Sequence, residues 1–183
     1  SCSGASLTPN HAVVMKSGST WLWDGSLAPT PSLASYGLKL GTNYYEFPTF
    51  VVSGHPGNPA IMTSHTGGAN GRITHNDFLG GSINASGFNY SRLGTSSGHA
   101  IHLLGYQNAY TARLINVTGD RSYTLYIPGV GPGGENIQLN NVYLTNSSGT
   151  YAAELGQYGA RTTGIREVIG CSFDKQVSFH PTT

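Results

Sequence analysis

Residues 134–144, GENIQLNNVYL, and residues 159–173, GARTTGIREVIGCSF, are written to nearly the same pattern. In both, glycine leads into alternating apolar residues, then a small or amide residue, then a second apolar stretch. Repetition of this kind constrains folding strongly, because a unit of short strands cannot bury its apolar face alone and must stack on a copy of itself. The pattern extends beyond the pair. With AIHLLG, YTLYIPG and AAELGQ superposed, Ile101 and Leu103 fall on Leu125 and Ile127 and then on Ala153 and Leu155, at offsets of 24 and 28 residues. In a second series, LINV, LNNV and VIGC, Leu114 aligns with Leu139 and Val168, and Val117 with Val142 and Cys171, at offsets of 25 and 29. Equivalent positions of consecutive copies then become neighbours, so the strands are expected to be parallel. AIMTSHTGGANGRITHNDFLGG (60–81) fits as an earlier, less regular copy, and 82–98 reads as an insertion.

Glycine or proline interrupts nearly every window of helical length, while β-branched and aromatic residues gather in short runs, which predicts an all-β chain. Strands are expected within 11–16, 19–25, 44–53, 60–65, 72–79, 100–105, 110–117, 122–127, 136–144, 150–156 and 163–173. The first two look like a hairpin turning at Lys16-Ser17-Gly18-Ser19, followed by a Pro-rich stretch at 27–33. Residues 1–59 are expected to form a β-rich N-terminal cap region and 60–183 the repeat region, with one continuous domain as the alternative.

The repeats over 60–173, in their Gly, Asn and Tyr content and low charge, resemble the right-handed parallel β-helix of pectate-lyase-like proteins and, more closely, of bacteriophage tailspikes. TWLWDGSL (20–27) is similar to short Trp-Asp-Gly segments ahead of tailspike β-helices. The resemblance implies a solenoid in which amides stack at a turn between strands; Asn76, Asn116 and Asn141 fall at comparable positions, and Gly170 takes the slot in the last copy. It also implies a surface carbohydrate-recognition module of a viral or phage tail fibre or tailspike, engaging a cell-surface polysaccharide as host receptor, a homotrimer, and a virion-surface or extracellular setting. The competing architecture is an antiparallel β-sandwich or jelly roll, which frequent short strands with turn signals also suit. On that fold the chain is a structural fibre-head, capsid or pilus subunit.

Composition narrows the classes. Only 9% of residues are charged, against roughly 25% in an average soluble domain, so solubility comes from hydroxyls and amides. That balance suits an extracellular or virion-surface protein. The net charge is +1 and the nine Lys and Arg are scattered, which leaves no basic stripe for nucleic acid. No apolar run reaches the roughly 20 residues of a membrane helix, and no charged n-region with an apolar h-region opens the chain; the expectation is a mature or excised soluble piece. Cys2 and Cys171 sit near opposite ends. Oxidised, they would close almost the whole chain and restrict its unfolded state by about 5 kcal/mol; the alternative is one core-facing thiol and one terminal thiol. Asn-x-Ser/Thr sites occur at Asn84, Asn89, Asn116 and Asn146, available for glycosylation in a eukaryotic host.

Alternation along the strands nominates the site. If Leu103, Leu125, Ile127 and Leu155 face the core, His102, Tyr126 and Glu154 project outward from three successive copies. An imidazole, an aromatic plate and a carboxylate along one groove form a plausible sugar contact. Tyr106, Tyr110 and Tyr158, in expected loops, join them as candidate contacts, since tyrosine is an adaptable recognition residue. Cleavage of a glycan as hydrolase or lyase is the alternative function and needs two carboxyls. Glu154 with Asp120 or Glu135 is the best pair, and Glu167 is a further outward acid. His99 and His102, three apart, are expected on opposite faces of a strand, and His65 and His75 on different strands, so the histidines read as polar loop and surface residues. No Cys/His spacing indicates a metal, GVGPGG (129–134) lacks the end of a phosphate loop, and no cofactor is expected.

Overall fold

A computed structural model describes residues 2–4, 13–23, 38–40, 49–64, 71–75, 82–94, 99–103, 111–127, 136–156 and 165–180. Among them there are sixteen strands and no helix. These are β1 (Cys2–Gly4), β2 (Val13–Lys16), β3 (Thr20–Trp23), β4 (Leu38–Leu40), β5 (Thr49–Ser53), β6 (Ala60–Ser64), β7 (Ile73–His75) and β8 (Ser82–Ser91). The series continues with β9 (Ile101–His102), β10 (Thr111–Asp120), β11 (Leu125–Ile127), β12 (Asn136–Thr145), β13 (Ala153–Gly156), β14 (Ile165–Ile169), β15 (Ser172–Phe173) and β16 (Val177–His180).

Ten strands make one sheet, in the order β1-β3-β6-β8-β10-β12-β14, with β15 also on β12 and β2 joined to β8 through β5. Six make a second sheet, β16-β13-β11-β9-β7-β4. From β6 onward the chain alternates between the two, visiting each once per repeat, with β14 and β15 acting as one visit. Every pairing between named strands is parallel. The antiparallel sandwich is therefore not the architecture. The register follows the sequence repeat: Leu114 opposes Leu139, which opposes Val168, and Leu125 opposes both Ile101 and Ala153.

A side-chain rule explains why the long strands are hard to read as strands. In β8 the buried hydrophobics are Ile83, Ala85, Phe88 and Tyr90; in β10 Ala112, Leu114 and Val117; in β12 Ile137, Leu139, Val142 and Leu144. Alternation holds on each side of Gly87, Asn116 and Asn141 and slips by one residue at each. All three have left-handed backbones, with φ of 57°, 51° and 52°. Such a residue breaks the extended run and changes which face the following residues meet. Because the break sits at the same place in adjacent strands, pairing resumes beyond it, from Ile115 opposite Asn140 to Val117 opposite Val142. The inward sets from both sheets merge into one core that includes Phe50 and Phe88, edge to face at 5.8 Å, and Leu125, Ile127 and Leu155.

Three expectations need correction. Residues 82–98 are not a plain insertion: 82–91 form β8, which joins β10 to β5 and β6. The hairpin at 16–19 is absent, because β2 pairs with β5 and β3 with β6; the Ser17-Gly18 turn only links two segments of one sheet, with Gly18 at φ 71°. The strand pairs β3–β6, β4–β7 and β5–β8 join residues on either side of residue 59. Finally, Cys171 is a free thiol, half-buried against the core. β1 and β14 end opposite sides of their sheet, about 29 Å apart by strand spacing, whereas a disulfide needs Cα atoms within about 7 Å. The Cys2–Cys171 bridge is thus not formed.

Candidate functional site

The short strands of the second sheet place the proposed row. His102 on β9 opposes Tyr126 on β11, which opposes Glu154 on β13. Leu103, Ile127 and Leu155, one residue further on, are fully buried, and the Leu103 amide donates to the Tyr126 carbonyl at 3.0 Å. Inward anchoring of these aliphatics turns His102, Tyr126 and Glu154 to the other face, where all three are half-buried. At strand spacing the row is about 10 Å long. The same register extends it to Thr74 on β7, which is buried, and to Ser178 on β16.

A second row stands two residues ahead of the matched positions Ile101, Leu125 and Ala153: His99, Tyr123 and Tyr151, each half-buried. The sequence reading missed it as a site, although the same 24- and 28-residue offsets connect its members. His99 lies flat on Tyr126, with ring centroids 4.0 Å apart and planes at 19°, and meets His102 edge-on at 5.2 Å. His102 in turn meets Tyr126 at 4.9 Å. His99 and His102 were expected on opposite faces. They converge because only residues 101–102 are strand and the chain bends at Ala100.

Beside these rings lies a cavity of about 370 Å³, lined by His99, Tyr123, Thr124, Tyr151, Glu154 and residues 148–150. Its rim is tied down from neighbouring repeats. Thr124 Oγ1 donates to the Tyr151 carbonyl at 2.9 Å, the Ser148 amide to the Ser122 carbonyl at 2.9 Å, and Lys175 Nζ to the Gly149 carbonyl at 2.8 Å. A side chain at Gly149 would meet Thr124 Oγ1 at 2.5 Å, so glycine lets the rim close on the strand below. Burial, with help from the nearby Arg72 charge, lowers the His99 pKa from 6.5 to about 4. At neutral pH His99 is therefore an uncharged ring with hydrogen-bonding nitrogens.

Asp120 and Glu167 lie on the other sheet. Asp120 ends β10 in the ten-stranded sheet, where its carboxylate accepts from Asn146 Nδ2 at 2.8 Å and Arg121 Nε at 2.7 Å. Those bonds, Asn146 first, hold it below the usual carboxylate range, which suits a fixed anion better than a proton donor. Glu167 accepts from Asn140 Nδ2 on the same sheet. Glu135, Tyr106, Tyr110 and Tyr158 lie outside the described residues. Among the described residues no group of three or more His, Cys, Asp or Glu is placed to hold a metal ion. No protein-family model, curated protein or solved structure matches the chain.

Proposed function

We propose that the chain is a right-handed parallel β-helix that binds carbohydrate in the groove beside His99, Tyr126, Tyr151 and Glu154, as the surface-recognition module of a viral or phage fibre. Alternation of the chain between two parallel sheets supports the solenoid, and right-handedness follows from the strong bias of parallel crossovers. The observation that carries the binding reading is the pair of matched rows, His99/Tyr123/Tyr151 and His102/Tyr126/Glu154, of which His99, Tyr123, Tyr151 and Glu154 line a cavity of about 370 Å³. Pyranose rings present apolar CH faces that stack on aromatic plates, while their hydroxyls donate to a carboxylate and exchange hydrogen bonds with Thr, Ser and Tyr oxygens. The cavity volume falls within the range of small-molecule sites.

Binding without cleavage is the favoured form, because glycosidases work with two carboxyls about 5–9.5 Å apart and, among the described residues lining this cavity, Glu154 is the one acid. A trimeric assembly belongs to the same proposal and is read by sedimentation. The test is a capsular and lipopolysaccharide glycan array, followed by titration of a hit against wild type and Tyr151→Ala. The expected result is saturable binding, weakened about tenfold or more by loss of the Tyr151 ring, with the glycan recovered at full length. Binding indifferent to both Tyr151→Ala and Glu154→Gln would refute the groove, and shortened glycan chains would replace the lectin reading with an enzymatic one.

A further inference from the structure

The ten-stranded sheet carries a second concavity, of about 350 Å³, lined by Pro56, Pro59, Gly87, Asn89, Asn116, Thr118, Asn141 and Tyr143. Two rows build it. Asn89, Thr118 and Tyr143 are outward residues in mutual register on β8, β10 and β12. Gly87, Asn116 and Asn141 occupy the left-handed positions of the same three strands. Asn141 Nδ2 donates to Asn116 Oδ1 at 3.0 Å, and Asn141 Oδ1 faces Gly170, where a Cβ would come within 2.5 Å of it.

The third position has no amide to continue the ladder. At Gly87 a Cβ would come within 2.4 Å of the Gly54 carbonyl oxygen and 2.9 Å of the His55 amide nitrogen, so the 54–59 loop occupies the place of the missing side chain. That loop is fastened by the Gly54 amide to the Ser86 carbonyl at 2.8 Å, by the Gly18 amide to the Asn58 carbonyl at 3.1 Å, and by Ser17 Oγ to the Asn58 carbonyl at 2.6 Å. Its two prolines wall one side of the cavity, and the Tyr143 ring, 44% exposed, stands on another.

We infer that this concavity is a second ligand site, specific for an uncharged oligosaccharide. Among the described residues that line it none carries a carboxylate or a cation, so these residues offer an ionic ligand no counter-charge. The Asn116–Asn141 amide pair, Asn89 and Thr118 offer donors and acceptors for sugar hydroxyls, and Tyr143 offers a stacking plate. The row of three strands is about 10 Å long, which suits a short saccharide rather than a single ring. The site is independent of the groove on the other sheet: none of its residues lines that cavity.

The experiment uses ¹⁵N-labelled protein carrying Tyr151→Ala and Glu154→Gln, so that the first groove is disabled, titrated with maltotriose, cellotriose, chitotriose and trigalacturonate. The expected result is a saturable shift of the Asn116 and Asn141 carboxamide signals with at least one neutral trisaccharide and none with trigalacturonate. Tyr143→Ala then weakens the response about tenfold, whereas Tyr143→Phe, which keeps the plate, largely retains it. Silent carboxamide signals with all three neutral sugars would overturn the inference, as would an equal response to trigalacturonate or to the Tyr143→Ala protein. Either result leaves the first groove to its own titration in wild type.

Discussion

Asn116 and Asn141 do two things at once: each adopts a left-handed backbone, and together they share an amide hydrogen bond across neighbouring strands. Asparagine tolerates that conformation better than most residues, and alanine does not. Asn116→Ala is therefore expected to lower stability by about 2 kcal/mol, from backbone strain plus the lost bond, and Asn116→Gly by less. Urea midpoints check this, and equal losses for both variants would mean that the backbone conformation is not the cause. At His99 the folded pKa of about 4 lies below the ordinary 6.5. Between those values the unfolded chain binds the proton that the folded one refuses, so the contribution of His99 to stability, complete above pH 6.5, is lost as pH falls toward 4. Thermal melts of wild type and His99→Gln should diverge over that window, with the wild type falling more steeply.

At the scale of elements, β8 joins the β2–β5 pair and the β1–β3–β6 run into one sheet. Phe88 is fully buried between Phe50 and Tyr90, and Phe88→Ala is expected to cost about 3–5 kcal/mol, measured by denaturant unfolding; a loss under about 1 kcal/mol would return residues 82–98 to the status of a surface insertion. The sequence hid this strand because Gly87 shifts the alternation midway and Asn84, Ser86, Asn89 and Ser91 dilute the apolar signal. β1, β4 and β16 were missed for another reason: runs of three or four residues are too short to display a period. The register of β9, β11 and β13 was legible because each carries aliphatics at the same two positions. The amide pair at Asn116 and Asn141 was legible for the same reason, whereas Asn76 lies outside the described residues and Gly87 holds the slot before Asn116. In the candidate site, the inner row could be read by alternation inside a strand. The outer row of His99, Tyr123 and Tyr151 sits before the strands, where alternation says nothing and only the repeat offset connects the residues.

Across the whole molecule, one stacking rule generates both the core and the two ligand-sized concavities. Inward positions form continuous aliphatic stacks, and outward positions of the same strands become rows whose chemistry changes from one repeat to the next. Where stacking stops, the pattern shows it: Leu155 is fully buried, while Phe179, its partner on the last strand of the second sheet, is 55% exposed. A chain with 9% charged residues presents hydroxyls, amides and aromatic rings along such rows, the groups that sugars match. Everything proposed for these surfaces depends on parallel stacking in the observed register. Methyl-to-methyl nuclear Overhauser effects measure that directly. The account predicts contacts from Leu125 to both Ile101 and Ala153 and from Ile127 to Leu155, with none between Ile101 and Ala153, two strand spacings or about 10 Å apart. Absence of the Leu125 contacts, or cross-strand Hα–Hα effects of antiparallel pairing among these three strands, would contradict it.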